Sequence, residues 1–421
     1  TTDSYRYKYF HEKEENRYPR KIFTFDDSKE NLSMRNFIYA YPSQTLADIF
    51  DPSQFVGQKI TIKEIKKIIK DEICNKFESI YNKYKNGRGR KDIWYWAAPI
   101  LLDREISKKS FEWIYNSKEK DKFLSNHYQR AITLIKTPVS KEFDFPELSK
   151  DEKEDVLEFL ANLALGSSSI CALRSFSKLF KTDDIRDFSH QIGLGFLKFF
   201  DKPENIAIVR LTALTGTTYL EKVLSYSVDG NIQSMLDEYF YILNKIENRT
   251  NPKDLFDQFN KMISLRTASL GVKMYDDSAK NQITAKNMRI HFAVHFGTQL
   301  RNDDGGINRE VNVKDAFNSP FRPFVLATTS IGQEGLDFHL YCRKIFHWNI
   351  PSNPIDFEQR EGRITRYLSH AIRTNIAIKY VEKVKNFSDI NLWQELIKIA
   401  KESEIDKESD IVPFWSIKVD K

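Results

Sequence analysis

Apolar side chains recur every three or four residues from Ile60 to Tyr84, through ITIKEIKKIIKDEICNKFESIYNKY, and that spacing predicts an amphipathic helix. The run ends in KNGRGRK, a glycine-interrupted loop whose Lys85, Arg88, Arg90 and Lys91 suit either a phosphate backbone or plain solvent. Before it, residues 1 to about 60 are aromatic and charged with little period, and YAYPSQTLADIFDP reads as extended segments and turns. WYWAAPILLD, at 94–103, is apolar enough to be core. A charged helical region follows, and then KTPVSKEFDFPELS, at 136–149, reads as a proline-containing linker. Ser149 with Glu152 makes a capping box in front of DVLEFLANLAL. From there to about Met262 nearly every stretch has helical spacing, and Asn251-Pro252 supplies a cap and a first-turn proline for one more helix.

The texture changes after about residue 270. MRIHFAVHF (288–296), FVLAT (324–328), KIFHWNI (344–350) and TNIAIKYV (374–381) are short runs of β type separated by helical stretches, and LWQELIKIAKESE closes the chain as a helix. Strands alternating with helices predict an α/β domain, a parallel sheet with helices on both faces. Three regions follow: a mixed accessory region over 1–148, a helical accessory or insertion region over 149–270, and the α/β domain over 271–421, behind a large, mainly helical part.

Composition refines this only slightly. Apolar residues at 41% and aromatics at 13% describe a folded chain, and 65 basic against 59 acidic residues give a mild excess that permits nucleic-acid binding without requiring it. Cys74, Cys171 and Cys342 form no CxxC pair, so a zinc site and a disulfide framework are both disfavoured and a cytoplasmic location is expected. The longest apolar run, around Ile93 to Leu102, is too short to span a bilayer, and no membrane partner is expected. The chain opens on Thr1 in a highly charged stretch, as a piece from within a longer polypeptide would.

The chemistry concentrates between Phe324 and Arg366. The loop after FVLAT lies at the carboxyl end of a predicted strand and carries Thr328, Thr329, Ser330, Gly332, Glu334, Gly335 and Asp337. Small and hydroxylated residues let backbone amides approach phosphates, and such loops are where parallel sheets bind ligands. Arg360, Arg363 and Arg366 then fall within seven residues, and a helix would place Arg363 and Arg366 on one face. Planar, permanently charged forks suit a phosphoryl group whose charge is growing.

TTSIGQEGLDF followed by QREGRITR resembles motifs V and VI of superfamily 2 helicases and translocases, whose motif VI runs Q-R-x-G-R-x-x-R; Gln359, Arg360, Gly362, Arg363 and Arg366 match its fixed positions. The intervening IPSNPIDFEQR resembles the Swi/Snf-type and related bacterial double-stranded DNA translocases more than DEAD-box RNA helicases. AVHFG and the later REVNVKDAFNSP resemble the family's strand and helix through His295, Gly297, Arg309 and Phe317. The resemblance implies a RecA-like C-terminal lobe, a P-loop-NTPase-type fold. Arg363 and Arg366 would be arginine fingers toward ATP, with Gln359 positioning nucleotide or water. Gly335, Glu334, Asp337 and Arg360 would serve the nucleotide side, and Thr328, Thr329 and Ser330 the backbone of a nucleic acid, expected to be DNA.

No Gly-Lys-Ser/Thr occurs in the chain, so the nucleotide-holding Walker A and B loops, and most of the contacts to Mg²⁺, are expected on an upstream lobe, in the same polypeptide or another subunit. Asp237 and Glu238 in MLDEYF are the nearest substitute for Walker B carboxylates, but their helical spacing reads as helix surface. HFAVH lacks the glutamate of a zinc-binding HExxH. Two functions stay open: an ATP-dependent DNA helicase or translocase, inactive without the other lobe, and a non-catalytic nucleic-acid- or protein-binding subunit with a vestigial lobe.

Overall fold

The computed structural model describes residues 22–26, 30–87, 89–106, 108–120, 123–138, 143–213, 215–264, 268–276, 282–290, 314–321, 324–327, 337–384 and 390–403. The chain divides into two compact units, one of residues 1–51, 60–177 and 181–234, the other of residues 52–59, 178–180 and 235–421.

The first unit is helical wherever it is described as regular. Its helices are α1 (Glu30–Ala40), α2 (Gln44–Ile49), α3 (Ile62–Tyr84), α4 (Asp92–Ile106), α5 (Lys108–Lys120), α6 (Ser125–Lys136), α7 (Lys150–Gly166), α8 (Ser168–Leu179), α9 (Ile185–Phe200), α10 (Pro203–Thr212) and α11 (Tyr219–Asp229). Thr61 with Glu64 and Ser149 with Glu152 both form complete capping boxes, which fix the starts of α3 and α7. WYWAAPILLD is the buried heart of α4, where Trp94 packs against Phe77, Tyr81 and Phe145 with ring centroids 5.4, 5.3 and 4.7 Å away. The segment read as a linker is pinned to this core, for Phe143 and Phe145 are fully buried and Pro146 O accepts from Trp94 Nε1 at 3.0 Å.

YAYPSQTLADIFDP is not extended as expected, since it ends α1 and then forms α2. The cause lies elsewhere in the chain. Buried Asp103 on α4 accepts from Tyr41 Oη (2.7 Å), Ser43 Oγ (3.0 Å), Gln44 N (3.1 Å) and Thr45 N (2.8 Å), which satisfies the first amides of α2. The other end of α2 is held by buried Arg174, which donates to Leu46 O, Ala47 O, Ala164 O and Gln233 Oε1. In the KNGRGRK loop, Lys85 lies 3.4 Å from Glu147, and Lys91 lies 4.0 and 3.9 Å from Glu152 and Asp155. Those two lysines therefore face carboxylates, while Arg88 lies outside the described residues. Among the described residues no single helix is long and apolar enough to cross a membrane.

In the second unit, helix α12 (Ile232–Tyr241) contributes its residues from Met235 onward. It is followed by α13 (Pro252–Ser264), β1 (Ala268–Asp276), β2 (Gln282–Ile290), α14 (Pro354–Glu361), α15 (His370–Tyr380) and α16 (Leu392–Ser403). Asn251 Oδ1 accepts from Asp254 N at 2.8 Å, the cap its position before Pro252 predicts. Tyr241, Leu368, Ile372, Ile376, Tyr380, Trp393 and Leu396 form the apolar core under α15 and α16.

The strand predictions fare differently. TNIAIKYV is a helix: Ile372, Ile376 and Tyr380 recur every four residues, and all three are buried. Its β-branched content suggested a strand, but burial at helical spacing decided the outcome. Residues 282–290 are a strand, and β2 pairs antiparallel with β1 in the register Ala268↔Ile290 to Asp276↔Gln282. Residues 291–296 and Thr328 lie outside the described residues; residues 324–327 and 344–350 are described without strand pairing. The described residues therefore hold no parallel strand pair. In 344–350 Phe346, Trp348 and Ile350 are exposed and Ile345 and His347 half-buried, but Asn349 is exposed as well and the backbone bends at Trp348 and Asn349.

Asp103→Ala would leave three buried donors and one part-buried donor without their acceptor and is expected to cost about 3 kcal/mol of stability. Urea unfolding followed by tryptophan fluorescence measures this, and a loss below about 1 kcal/mol would show that Asp103 does not organise α2.

Candidate active site

Helix α14 carries the first half of the arginine cluster. Asn353 caps it through an Oδ1 that accepts from Ile355 N at 3.1 Å, and Pro354 occupies the first turn. The helix stops at Glu361. Past that point the backbone tightens, with Arg363 N donating to Arg360 O (3.2 Å) and Ile364 N to Glu361 O (3.1 Å). Arg363 O is taken instead by Phe338 N at 3.0 Å. Arg363 and Arg366 thus project from a turn, not from one face of a helix, because a tertiary hydrogen bond diverts the backbone where the helix would have continued.

The turn still gathers the expected side chains. Gln359, Gly362, Arg363, Thr365, Arg366 and Tyr367 line one open depression of about 470 Å³. Arg366 Nη2 lies 3.1 Å from Asp337 Oδ1, both side chains being about half exposed at 49% and 46%. A pair so wet adds little stability and serves mainly to aim the guanidinium. Arg363 is half-buried, and its Nε has no hydrogen-bond partner among the described residues. Arg360 turns away and donates from Nη1 to Asn349 O at 3.0 Å. His347 stacks on Phe357 at 4.6 Å, so α14 also carries the segment 344–350. Thr328, Thr329, Ser330, Glu334 and Gly335 lie outside the described residues, as do His295, Gly297 and Arg309.

The segment from Asp337 to Cys342 runs beside the arginine turn. Asn318 Nδ2 donates to Asp337 O (2.7 Å), and Phe317 meets the Phe338 ring edge-on at 5.6 Å. Past the turn, His370 N donates to His339 O at 2.8 Å. Between them sits Leu368, whose φ of 53° is the left-handed region, a conformation that costs a side-chain-bearing residue about 1–2 kcal/mol.

The residue that sequence reasoning missed is Arg373. It is fully buried and donates from Nη1 to Leu368 O (2.8 Å), from Nη2 to Leu340 O (2.6 Å) and from Nε to Glu238 Oε1 (2.9 Å). Glu238 is therefore not plain helix surface: its side chain is 20% exposed and bound to this cation, and its neighbour Asp237 is buried. The available signal was a charge on the apolar stripe Ile372–Ile376–Tyr380, which a strand reading of the same residues hides. Burial pushes the His339 and His370 imidazoles below the ordinary value of 6.5, and the Arg373 charge pushes both the same way; Asp337 acts oppositely on His339 and Glu238 on His370. Burial also raises the Tyr341 phenol well above its ordinary value, and Glu238 adds to the effect. No group of three metal-ligating side chains occurs among the described residues.

Residues 277–368 match the helicase conserved C-terminal domain. The match covers the depression and supports a helicase C-terminal lobe in this stretch of a helicase-related protein. No curated protein and no solved structure matches the chain.

Because both histidines have lowered pKa values in the fold, the unfolded chain binds more protons near their ordinary value of 6.5, and stability rises with pH there. Their contribution is complete above that value and is lost as the pH falls through the lowered folded values. Thermal melts of the chain between about pH 5 and 8 should show this slope, and a double His339→Gln, His370→Gln variant should flatten it. An unchanged slope in the variant would assign the acid sensitivity to other groups.

Proposed function

We propose that this chain is the C-terminal part of an ATP-dependent DNA helicase or translocase of superfamily 2, Swi/Snf-like and of bacterial type. The observation that carries the reading is the convergence of Gln359, Arg363 and Arg366 on one depression, within a stretch that matches a helicase domain and follows the order Q-R-x-G-R-x-x-R.

In this reading ATP is held by an upstream RecA-like lobe with Walker A and B loops, in the same polypeptide or a separate subunit, which also supplies most of the Mg²⁺ contacts. This chain supplies the electrostatics from the opposite side. Arg363 and Arg366 direct guanidinium forks at the γ-phosphoryl group, where charge spreads over its oxygens during transfer. Arg366 arrives already oriented, since Asp337 holds one edge of its fork at 3.1 Å. Arg363 brings a half-buried cation with bonding capacity to spare at Nε. Gln359 lines the same depression and would order nucleotide or water. Gly335 and Glu334 belong to the nucleotide side, while Thr328, Thr329 and Ser330 are assigned to the nucleic-acid backbone. Arg360, assigned from sequence to the nucleotide, serves the α14–Asn349 connection in the structure described above.

The finer fold belongs to the same proposal. Phe346, Trp348 and Ile350 fall at every second position, the spacing of one strand face, and with FVLAT this segment would complete a parallel RecA-like sheet.

ATP hydrolysis by the assembled motor tests the reading. Arg363→Ala and Arg366→Ala are each expected to lower kcat by about 10³-fold or more. Retained turnover in both variants, together with salt-dependent DNA binding by this chain alone, would favour the non-catalytic binding subunit instead.

A further inference from the structure

We propose that Arg373, seated by Glu238, is a positioning residue that fixes the segment carrying Asp337 against the turn carrying Arg363 and Arg366. The proposal rests on the motor reading above and adds to it the part of the chain that sets the geometry of the arginines.

Arg373 stands where a hydrophobic side chain belongs, on the buried stripe of α15 between Ile372 and Ile376. A buried cation is tolerated only when its donors are met, and here they are met in a particular way. Nη2 reaches the carbonyl of Leu340, three residues after Asp337, at 2.6 Å. Nη1 reaches the carbonyl of Leu368, two residues after Arg366, at 2.8 Å. The guanidinium is planar and rigid, so one group sets the separation of two chain segments. Glu238 then fixes the rotation of that plane through Nε at 2.9 Å.

Two further backbone bonds join the same segments, Phe338 N to Arg363 O at 3.0 Å and His370 N to His339 O at 2.8 Å. The clamped carbonyl belongs to the residue in the left-handed region, Leu368, whose side chain is packed into the core of the second unit. The turn therefore follows a disfavoured backbone path that is held at its carbonyl by Arg373 and at its side chain by packing. Arg373 itself does not line the depression. It acts through Asp337, Arg363 and Arg366.

Hydrogen exchange of the full chain, native against Arg373→Lys, tests the clamp. Lysine keeps the charge and loses the fork. The amides of Phe338 and His370 are expected to exchange about tenfold faster or more, with α3, α4 and α7 unchanged. Glu238→Gln keeps an oxygen for Nε but loses the counter-charge and should accelerate this exchange less than Glu238→Leu, which should behave as Arg373→Lys does. In an assembly that hydrolyses ATP, Arg373→Lys is expected to lower kcat about a hundredfold while KM for ATP stays within about threefold. Unchanged exchange at Phe338 and His370 overturns the proposal, and so does exchange accelerated throughout the chain, which would mean general packing. Normal kcat in an assembly that Arg366→Ala inactivates also overturns it. If Arg366→Ala leaves turnover intact, the motor reading fails, and the catalytic half of this proposal fails with it. The exchange result would still decide whether Arg373 holds the two segments.

Discussion

A guanidinium with no surface exposed to water governs the second unit. Arg373 must find oxygen for its donors without solvent, and it finds it on Glu238 and on two carbonyls from separate stretches of chain. Removing one partner of a buried ionic contact typically costs about 3–5 kcal/mol, because the other charge is left behind. The neighbouring Arg366–Asp337 pair has the opposite character. Half exposed, it contributes orientation at little energetic consequence. Stability and aim are thus divided between two arginines seven residues apart in sequence, one facing inward and one facing outward. Asn391 extends the inward network, donating to Asp237 O at 3.0 Å while accepting from Trp393 N at the start of α16.

The first unit solves a similar problem with different partners. Asp103 is satisfied by backbone amides and hydroxyls at one end of α2, and Arg174 by carbonyls that include those at its other end. A six-residue helix has little intrinsic stability and persists because both ends are completed by side chains from α4 and α8.

What could be read in the sequence follows from how far each signal reaches along the chain. The capping box at Ser149, the Asn251-Pro252 start and the amphipathic spacing of α3 depend on residues three or four apart, and all were legible. The arginine pattern was legible for the same reason, since all its members fall within eight residues. α2 has a local cap, Ser43, whose Oγ accepts from Leu46 N, but so short a helix was missed because the acceptor of its first two amides lies 58 residues away, at Asp103. The end of α14 was missed because Phe338 takes a carbonyl that local rules assign to a continuing helix. Glu238 was read as surface because its partner is 135 residues distant, inside a segment whose β-branched residues pointed to a strand.

The uncovered row Phe346, Trp348 and Ile350 has a practical consequence for anyone dividing this chain into pieces. Large apolar side chains exposed close together are a liability for self-association, and natural proteins flank such stretches with charge or proline. Here Arg343 and Lys344 precede the row and Pro351 follows it, a gatekeeping arrangement at both ends. A truncation should therefore keep residues 343–351 intact, since trimming into either flank would leave this exposed apolar stretch without its guards.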